Sequence, residues 1–357
     1  MDLSERIVKY IFSKSNIEFD KDITIHDDTF YSDVILKGSL GLGESYMDGK
    51  WDSQNIDILV SKILKQGIYQ KVAKYYDIFR RMKSNFINLQ NNFGSKKVIH
   101  EHYDLPIKLY ETFLDPYFQY TCAFFNKNDD LNQAQINKMH LICEKLDLKQ
   151  GESVLDIGGG WGGLALFMKK EYNANPIVLT LSKQQATYAR SLGLDVLEID
   201  YRDIPPNLKF DKISAIGIFE HIGHKNYKHF FQIVSNKLKN NGKFLLHTLY
   251  TPYSETATNP WLNKYIFPNS ELPTRKHIDR ANNLFNPLET NYPAFHELTP
   301  HYYPTLIAWN TNLKTALKEN QIQLSEKNKK MWEFYFLSCA GAIKANHMRV
   351  AQFTYQK

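Results

Sequence analysis

Apolar residues recur along this chain at two periods, and the switch between them marks its organisation. Leu3, Ile7, Val8, Ile11 and Phe12 share one face at helical spacing, which predicts an amphipathic helix over residues 2–13. Short alternating segments follow at 17–19 and 23–25, then helical patterns over 56–65 and 69–89. The polar stretch 88–97 reads as a linker. Beyond it a helix is predicted over 131–146. Strand-like runs near Val154, Ile177, Val196, Ile213 and Phe244 then alternate with helical patterns. That alternation predicts a parallel sheet with helices on both faces. Helices over 302–318 and 328–344 and a strand over 349–355 complete the pattern, with no internal repeat.

The junction at the first of these strands carries candidate chemistry. Val154, Leu155, Asp156 and Ile157 run into Gly158, Gly159, Gly160, Gly162 and Gly163 around Trp161, and a helical run follows. Strand, glycine turn and helix open a nucleotide-type βαβ unit, where bare backbone meets the ligand. Two readings fit. Gly158, Gly160 and Gly163 match a dinucleotide fingerprint. Asp156, Gly158, Gly160 and Gly162 match the loop of S-adenosylmethionine methyltransferases. The ribose-binding acid expected about 20 positions on is absent. Thr180, Leu181 and Ser182 stand there instead, which counts mildly against both. A second glycine cluster, at 38–49, is irregularly spaced and unlike a phosphate loop.

Composition narrows the class. At 357 residues and 43% apolar, the chain can hold two domains or one with an appendage. The 22 Tyr and 22 Phe exceed ordinary packing needs, and an apolar, cation-tolerant pocket is one use for them. The net charge of +6 is modest, with basic clusters at 80–83, 96–97, 169–170 and 327–330. Solvated helix faces account for most such runs, an anionic membrane surface is the sharper reading, and no nucleic-acid motif accompanies them. Cys122, Cys143 and Cys339 have no paired spacing and, without a signal peptide, read as reduced cytosolic thiols. No run reaches the roughly 20 apolar residues of a membrane span. His221, His224 and His229 lack the partners of a metal site.

Taken together, the motifs resemble the cyclopropane-fatty-acyl-phospholipid synthases. The stretches that carry the likeness are 41–49, 119–123 (Gln-Tyr-Thr-Cys-Ala), 142–146, 154–158, 180–182, 219–223 (Phe-Glu-His-Ile-Gly), 245–248, 264–269 and 339–342, in family order over nearly the whole chain. The resemblance implies an α/β fold, a Rossmann-like seven-stranded methyltransferase sheet with a smaller N-terminal α+β domain. Residues 1–95 would be that lipid-docking or dimerisation domain and 96–357 the catalytic one. Gly159 stands where relatives usually have cysteine, Pro106-Ile107 replaces a common Gly-Asn, and Pro304 replaces a small residue near Tyr302.

The implied reaction adds the methyl of S-adenosylmethionine to a cis double bond of an unsaturated phospholipid, and loss of a proton closes a cyclopropane ring. By resemblance the cofactor would be held by Tyr120, Thr121, Asp156, Gly158, Gly160, Trp161, Gly162, Thr180, Leu181, Ser182, Gln185, Asp200 and Tyr201. The base would be bicarbonate, held by Cys122, Glu220, His247, Leu249 (through its backbone) and Tyr302. Glu220, at a strand end, reads as functional even unaided. His247 and Tyr201 would otherwise be taken as core residues. Cys339 matches a position often assigned to the family's active site, yet the reaction has no step for a thiolate, so packing is its preferred reading. The further expectations are a homodimer, peripheral on the inner face of the membrane and cytoplasmic. A methyltransferase acting on an amine or leaving a branched chain, and a dead lipid-binding homologue, are the alternatives.

Overall fold

The computed structural model describes residues 3–67, 107–253 and 259–357. The expected helix over 69–89, the linker and the basic clusters at 80–83 and 96–97 lie outside the described residues. The chain forms two compact units.

Among the described residues, the first unit takes 3–67, 259–268 and 306–348. It is mostly helical, with helices Leu3–Lys14, Thr29–Lys37, Ser39–Met47, Ile56–Lys65, Pro260–Tyr265 and Glu326–Lys344. Its one small sheet pairs β1 (Thr24–Ile25) antiparallel with β2 (Trp51–Asp52). An aromatic core organises it. Trp51 is fully buried, its indole N–H donates to Leu42 O at 3.0 Å, and its ring meets Phe30, Tyr46 and Phe334. The glycine cluster at 38–49 is the helix Ser39–Met47, in which Gly43 lets the Trp261 ring lie against the backbone. The expected split at residue 95 therefore needs amending. Residues 259–268 and 306–348, read with the catalytic part, cluster with the N-terminal unit because Trp261 and Phe334 pack into its aromatic core.

The first helix is amphipathic as predicted, but only part of its apolar face is covered. Val8 and Phe12 are buried, while Leu3 (67%), Ile7 (38%) and Tyr10 (64%) are exposed. The lysines of 327–330 follow the solvated-face reading, since Lys327, Lys329 and Lys330 pair with Asp48, Glu326 and Asp52.

The second unit takes the described residues 107–253, 269–305 and 349–357. Its sheet runs β5 (Asp195–Leu197), β4 (Asn175–Leu179), β3 (Ser153–Ile157), β6 (Phe210–Ile216), β7 (Leu238–Tyr250), β10 (Arg349–Gln356) and β8 (Asn286–Pro287), with β9 (Phe295–Glu297) also on β10. The strands read from apolar runs are all present, and β3 to β7 are parallel. Two features differ from expectation. The sheet has eight strands, not seven: the six read from apolar runs, and two short segments that add to its far edge. It is mixed, because β10 runs antiparallel to β7 from Arg349↔Tyr250 to Gln356↔Lys243. Leu155, Ile213, Phe244, Leu246 and Phe353 fill the core around these strands. The order reverses at β3, between β4 and β6, which is where open α/β sheets leave a crevice beyond the carboxyl ends of their strands.

Candidate active site

Every predicted site residue except Cys339 belongs to the second unit. Several stand just beyond the carboxyl ends of β3, β4 and β6. The Gly158–Gly162 turn leaves β3 and delivers the chain to the helix Gly163–Tyr172. Gly160, at φ +55°, has open space where a Cβ would project, so backbone is presented bare to a ligand. Gly159 is packed, and a Cβ there would lie 2.7 Å from Asp156 Oδ2, so this chain's loop is fitted to glycine. Asp156 is buried and accepts from Ser214 Oγ at 2.7 Å, and burial lifts its carboxyl to about 6. The open turn at a helix N-terminus suits the amino-acid end of S-adenosylmethionine.

Around this loop stands an aromatic group. Trp161 packs against Tyr110, Phe118 and Tyr188, with ring centroids 5.6–6.0 Å apart. Tyr120 meets Tyr110 and Phe113. These rings give part of the tyrosine and phenylalanine surplus a place beside the cofactor loop.

The hydroxyls read as ribose ligands have local duties. Ser182 caps the helix Lys183–Ser191 by accepting from Gln185 N at 3.3 Å, and Thr180 Oγ1 donates to Gln185 Oε1 at 2.8 Å. Leu181, between them, is half-buried. Asp200 is clamped by Arg202 through Nε at 2.7 Å and Nη2 at 2.6 Å. Tyr201, half-buried, packs edge-on against Phe230.

Glu220 stands past the end of β6, and His247 lies along β7. Glu220 follows β6 in a short 3-10 turn and is buried. Its Oε1 accepts from the Leu249 amide at 2.5 Å, while Oε2 has no hydrogen-bond partner. The Leu249 N–H, expected to face an anion, thus holds the carboxylate, since a buried acceptor takes the nearest donor. Burial raises Glu220 from 4.5 to about 7 against the opposing pull of its own backbone amide, then of the Leu249 amide and the Thr248 side chain. His247 sits across from Ile216 on β6 and from Gln352 on β10. Gln352 Nε2 lies 3.3 Å from its Nδ1. Burial, then the charges of Lys138 and Lys145, lower His247 to about 3, so the ring is neutral. Tyr302 is buried near the start of the helix Thr299–Lys318. The Cys122 thiol contacts Ala123 O and Leu298 O, and burial pushes its pKa far up.

The sequence reading missed two lysines, both on the helix Leu131–Leu146 and both with no exposed surface. Lys138 donates to Gln119 Oε1 at 2.7 Å and Thr121 Oγ1 at 2.9 Å. With Gln135, whose amide donates to Gln119 O and Thr121 O, it pins the Tyr120-Thr121 segment. The only signal in sequence was lysine at positions whose helical neighbours are apolar.

Cys339 lies in the first unit, on the helix Glu326–Lys344. Burial pushes its thiol up to about 12, so no thiolate forms at neutral pH. His221 is half-buried and desolvation lowers it to about 4, and His224 pairs with Glu271. No group of metal-ligand residues occurs among the described residues.

Residues 90–353 match the mycolic acid cyclopropane synthetase family. The chain belongs to this family. It is 38% identical to the cyclopropane-fatty-acyl-phospholipid synthase of Escherichia coli K12, over 99% of this chain and 93% of that one. It is also similar to the mycolic acid cyclopropane synthase CmaA1 complexed with SAH and CTAB, at 30% identity and a TM-score of 0.66, over 73% of this chain and 98% of that one. Coclaurine N-methyltransferase, at 18% identity and a TM-score of 0.67, covers 88% of this chain and 99% of its own, and shows the fold alone. Family membership makes the chain an S-adenosylmethionine-dependent methyltransferase of cyclopropane synthesis.

Proposed function

We propose that this enzyme converts the cis double bonds of unsaturated phospholipid acyl chains to cyclopropanes, with bicarbonate as the base. The observation that carries the reading is Glu220, a buried carboxyl with one oxygen fixed by Leu249 and the other without a partner, on a short turn beside β7 and its neutral His247. The cofactor would supply the electrophilic methyl, and the bound anion would take up the proton released when the ring closes. The protein's own residues do the rest. The Asp156–Gly162 loop holds the methionine end, and the Lys138–Gln135 clamp fixes Tyr120-Thr121 over it. Glu220, with a proton affinity near neutrality, accepts a hydrogen bond from an acidic partner or gives its own proton back. His247, neutral, donates through the nitrogen not facing Gln352, and Tyr302 and Cys122 complete the pocket.

The substrate lies in a membrane, and no described helix is long and apolar enough to cross one. Docking would fall to the N-terminal unit, whose first helix exposes Leu3, Ile7 and Tyr10 with Lys14 against the Tyr10 ring at 5.5 Å. An apolar stripe edged by lysine suits the inner leaflet of an anionic membrane. A homodimer, which the resemblance implies, would present two such stripes and gain avidity.

The test is incubation with labelled S-adenosylmethionine and unsaturated phospholipid vesicles, followed by mass analysis of the acyl chains. Gain of CH2 with loss of the alkene is expected, and labelled amine or branched products would overturn the substrate reading. Vesicle binding should rise with anionic lipid, fall with salt and weaken in Ile7→Asp. Equal binding to neutral and anionic vesicles at all salt concentrations would refute the electrostatic docking.

A further inference from the structure

The anion pocket presents a charge problem. Among the residues proposed to line it, Glu220 is acidic, and Cys122, Tyr302 and neutral His247 bring no positive charge. A buried anion beside a carboxyl needs a cation nearby to offset its lost hydration. The helix Leu131–Leu146 supplies two, Lys138 and Lys145, one face apart by two turns and so about 10 Å along the axis. Both charges act on His247.

The two lysines are not equivalent. Lys138 is balanced by Asp115 and Asp156 and spends its protons on Gln119 and Thr121. Lys145 has no exposed surface and its Nζ has no hydrogen-bond partner. The groups that face it are His247 from β7, His296 from β9 and the Tyr292 ring, 5.7 Å from the ammonium, in the loop before β9. Among the described residues no carboxylate is paired with it, and burial lowers its amine to about 7. An ammonium buried without an acceptor and an anion buried without a cation are each costly alone, and each offsets the other.

Resting on the bicarbonate reading, we infer that Lys145 is the counter-charge of the anion pocket, a positioning residue that acts through His247 and sets the pocket's affinity for a small monoanion. Its ammonium holds the imidazole neutral and tips the local potential positive. Ring closure then finds the base in place.

The experiment titrates carbon-13 bicarbonate into the purified full chain in CO2-depleted buffer, read by NMR. Wild type is compared with Lys145→Met, which keeps the stem and removes the charge, and Lys145→Arg, which keeps a charge. S-adenosylmethionine affinity, by calorimetry, is the control for folding. Loss of a nearby unit charge at an effective dielectric of about 20 should weaken bicarbonate on the order of tenfold or more in Lys145→Met. Lys145→Arg should recover most of it, and cofactor affinity should stay within about twofold. Unchanged bicarbonate affinity in Lys145→Met overturns the inference while leaving the anion reading intact. Equal weakening in both variants also overturns it, because packing and not charge would then be responsible. No bicarbonate binding by wild type would overturn the anion reading and this inference with it. Should Lys145→Met not fold, nitrogen-15 lysine NMR of wild type serves instead. Added bicarbonate should keep the Lys145 ammonium protonated to higher pH, and an unmoved titration would refute the assignment.

Discussion

Glu220→Gln should raise stability at alkaline pH while removing activity, and the size of the gain follows from burial. The substitution keeps the shape of the side chain and an oxygen acceptor for the Leu249 amide. It removes the ionisation. Burial lifts Glu220 from its ordinary 4.5 to about 7, which at roughly 1.4 kcal/mol per tenfold change in proton affinity is about 3 kcal/mol. The folded value lies above the unfolded one, the reverse of a salt-bridged carboxylate. Between about pH 4.5 and 7 the folded protein therefore binds more protons than the unfolded chain, and the contribution of Glu220 to stability falls as pH rises through that window. The variant should lie within about 1 kcal/mol of wild type in urea unfolding at pH 5 and exceed it by up to about 3 kcal/mol at pH 8. Ring closure in the same variant should fall severely while calorimetric S-adenosylmethionine affinity is kept. A stability difference that is the same at both pH values would refute the buried-acid account. Loss of cofactor binding would show that Glu220 belongs to the cofactor site instead.

His247→Ala should cut turnover about a hundredfold or more, the scale of losing one fixed donor at a reacting group, with cofactor affinity nearly intact. A turnover loss matched by loss of cofactor binding would move His247 out of the anion pocket. Cys339→Ser should keep turnover within a few-fold while lowering the melting temperature, because a hydroxyl replaces a buried thiol in the first unit. A folded, cofactor-binding but inactive Cys339→Ser enzyme would give that thiol a role in catalysis. Calorimetry should show S-adenosylhomocysteine binding and no NAD binding, and the opposite result would overturn the reading of the glycine loop.

The parallel strands were legible because each is an apolar run flanked by a helical period, and Leu131–Leu146 and the last strand emerge close to their read limits. The edge strands Asn286–Pro287 and Phe295–Glu297 were not, since two or three residues carry no periodicity. The grouping of residues 306–348 with the N-terminal unit was also hidden, because it depends on long-range aromatic packing of Phe334 and Trp261 around Trp51. Resemblance singled out Glu220 and His247. It could not say that the Leu249 amide is taken by Glu220, or that Thr180 and Ser182 serve a helix cap. The second had a signal in plain view, since Ser182 and Gln185 stand at capping-box spacing. The buried lysines had only their apolar helical neighbours to mark them, and lysine on a helix is ordinarily solvated.

The site shows why such residues resist reading from sequence. Burial has moved three side chains away from their behaviour in water. Glu220 holds its proton to about pH 7, Lys145 loses its own near 7, and His247 stays neutral down to about 3. In solution this set would carry a fixed negative carboxylate and a fixed positive amine. Within the fold, both groups change charge near neutrality, so no permanent negative charge opposes an incoming anion. That adaptability has a stability cost, since charging Glu220 and keeping Lys145 charged are both disfavoured by the same desolvation. The chemistry and the instability share one cause, and a substitution that relieves the second is expected to abolish the first.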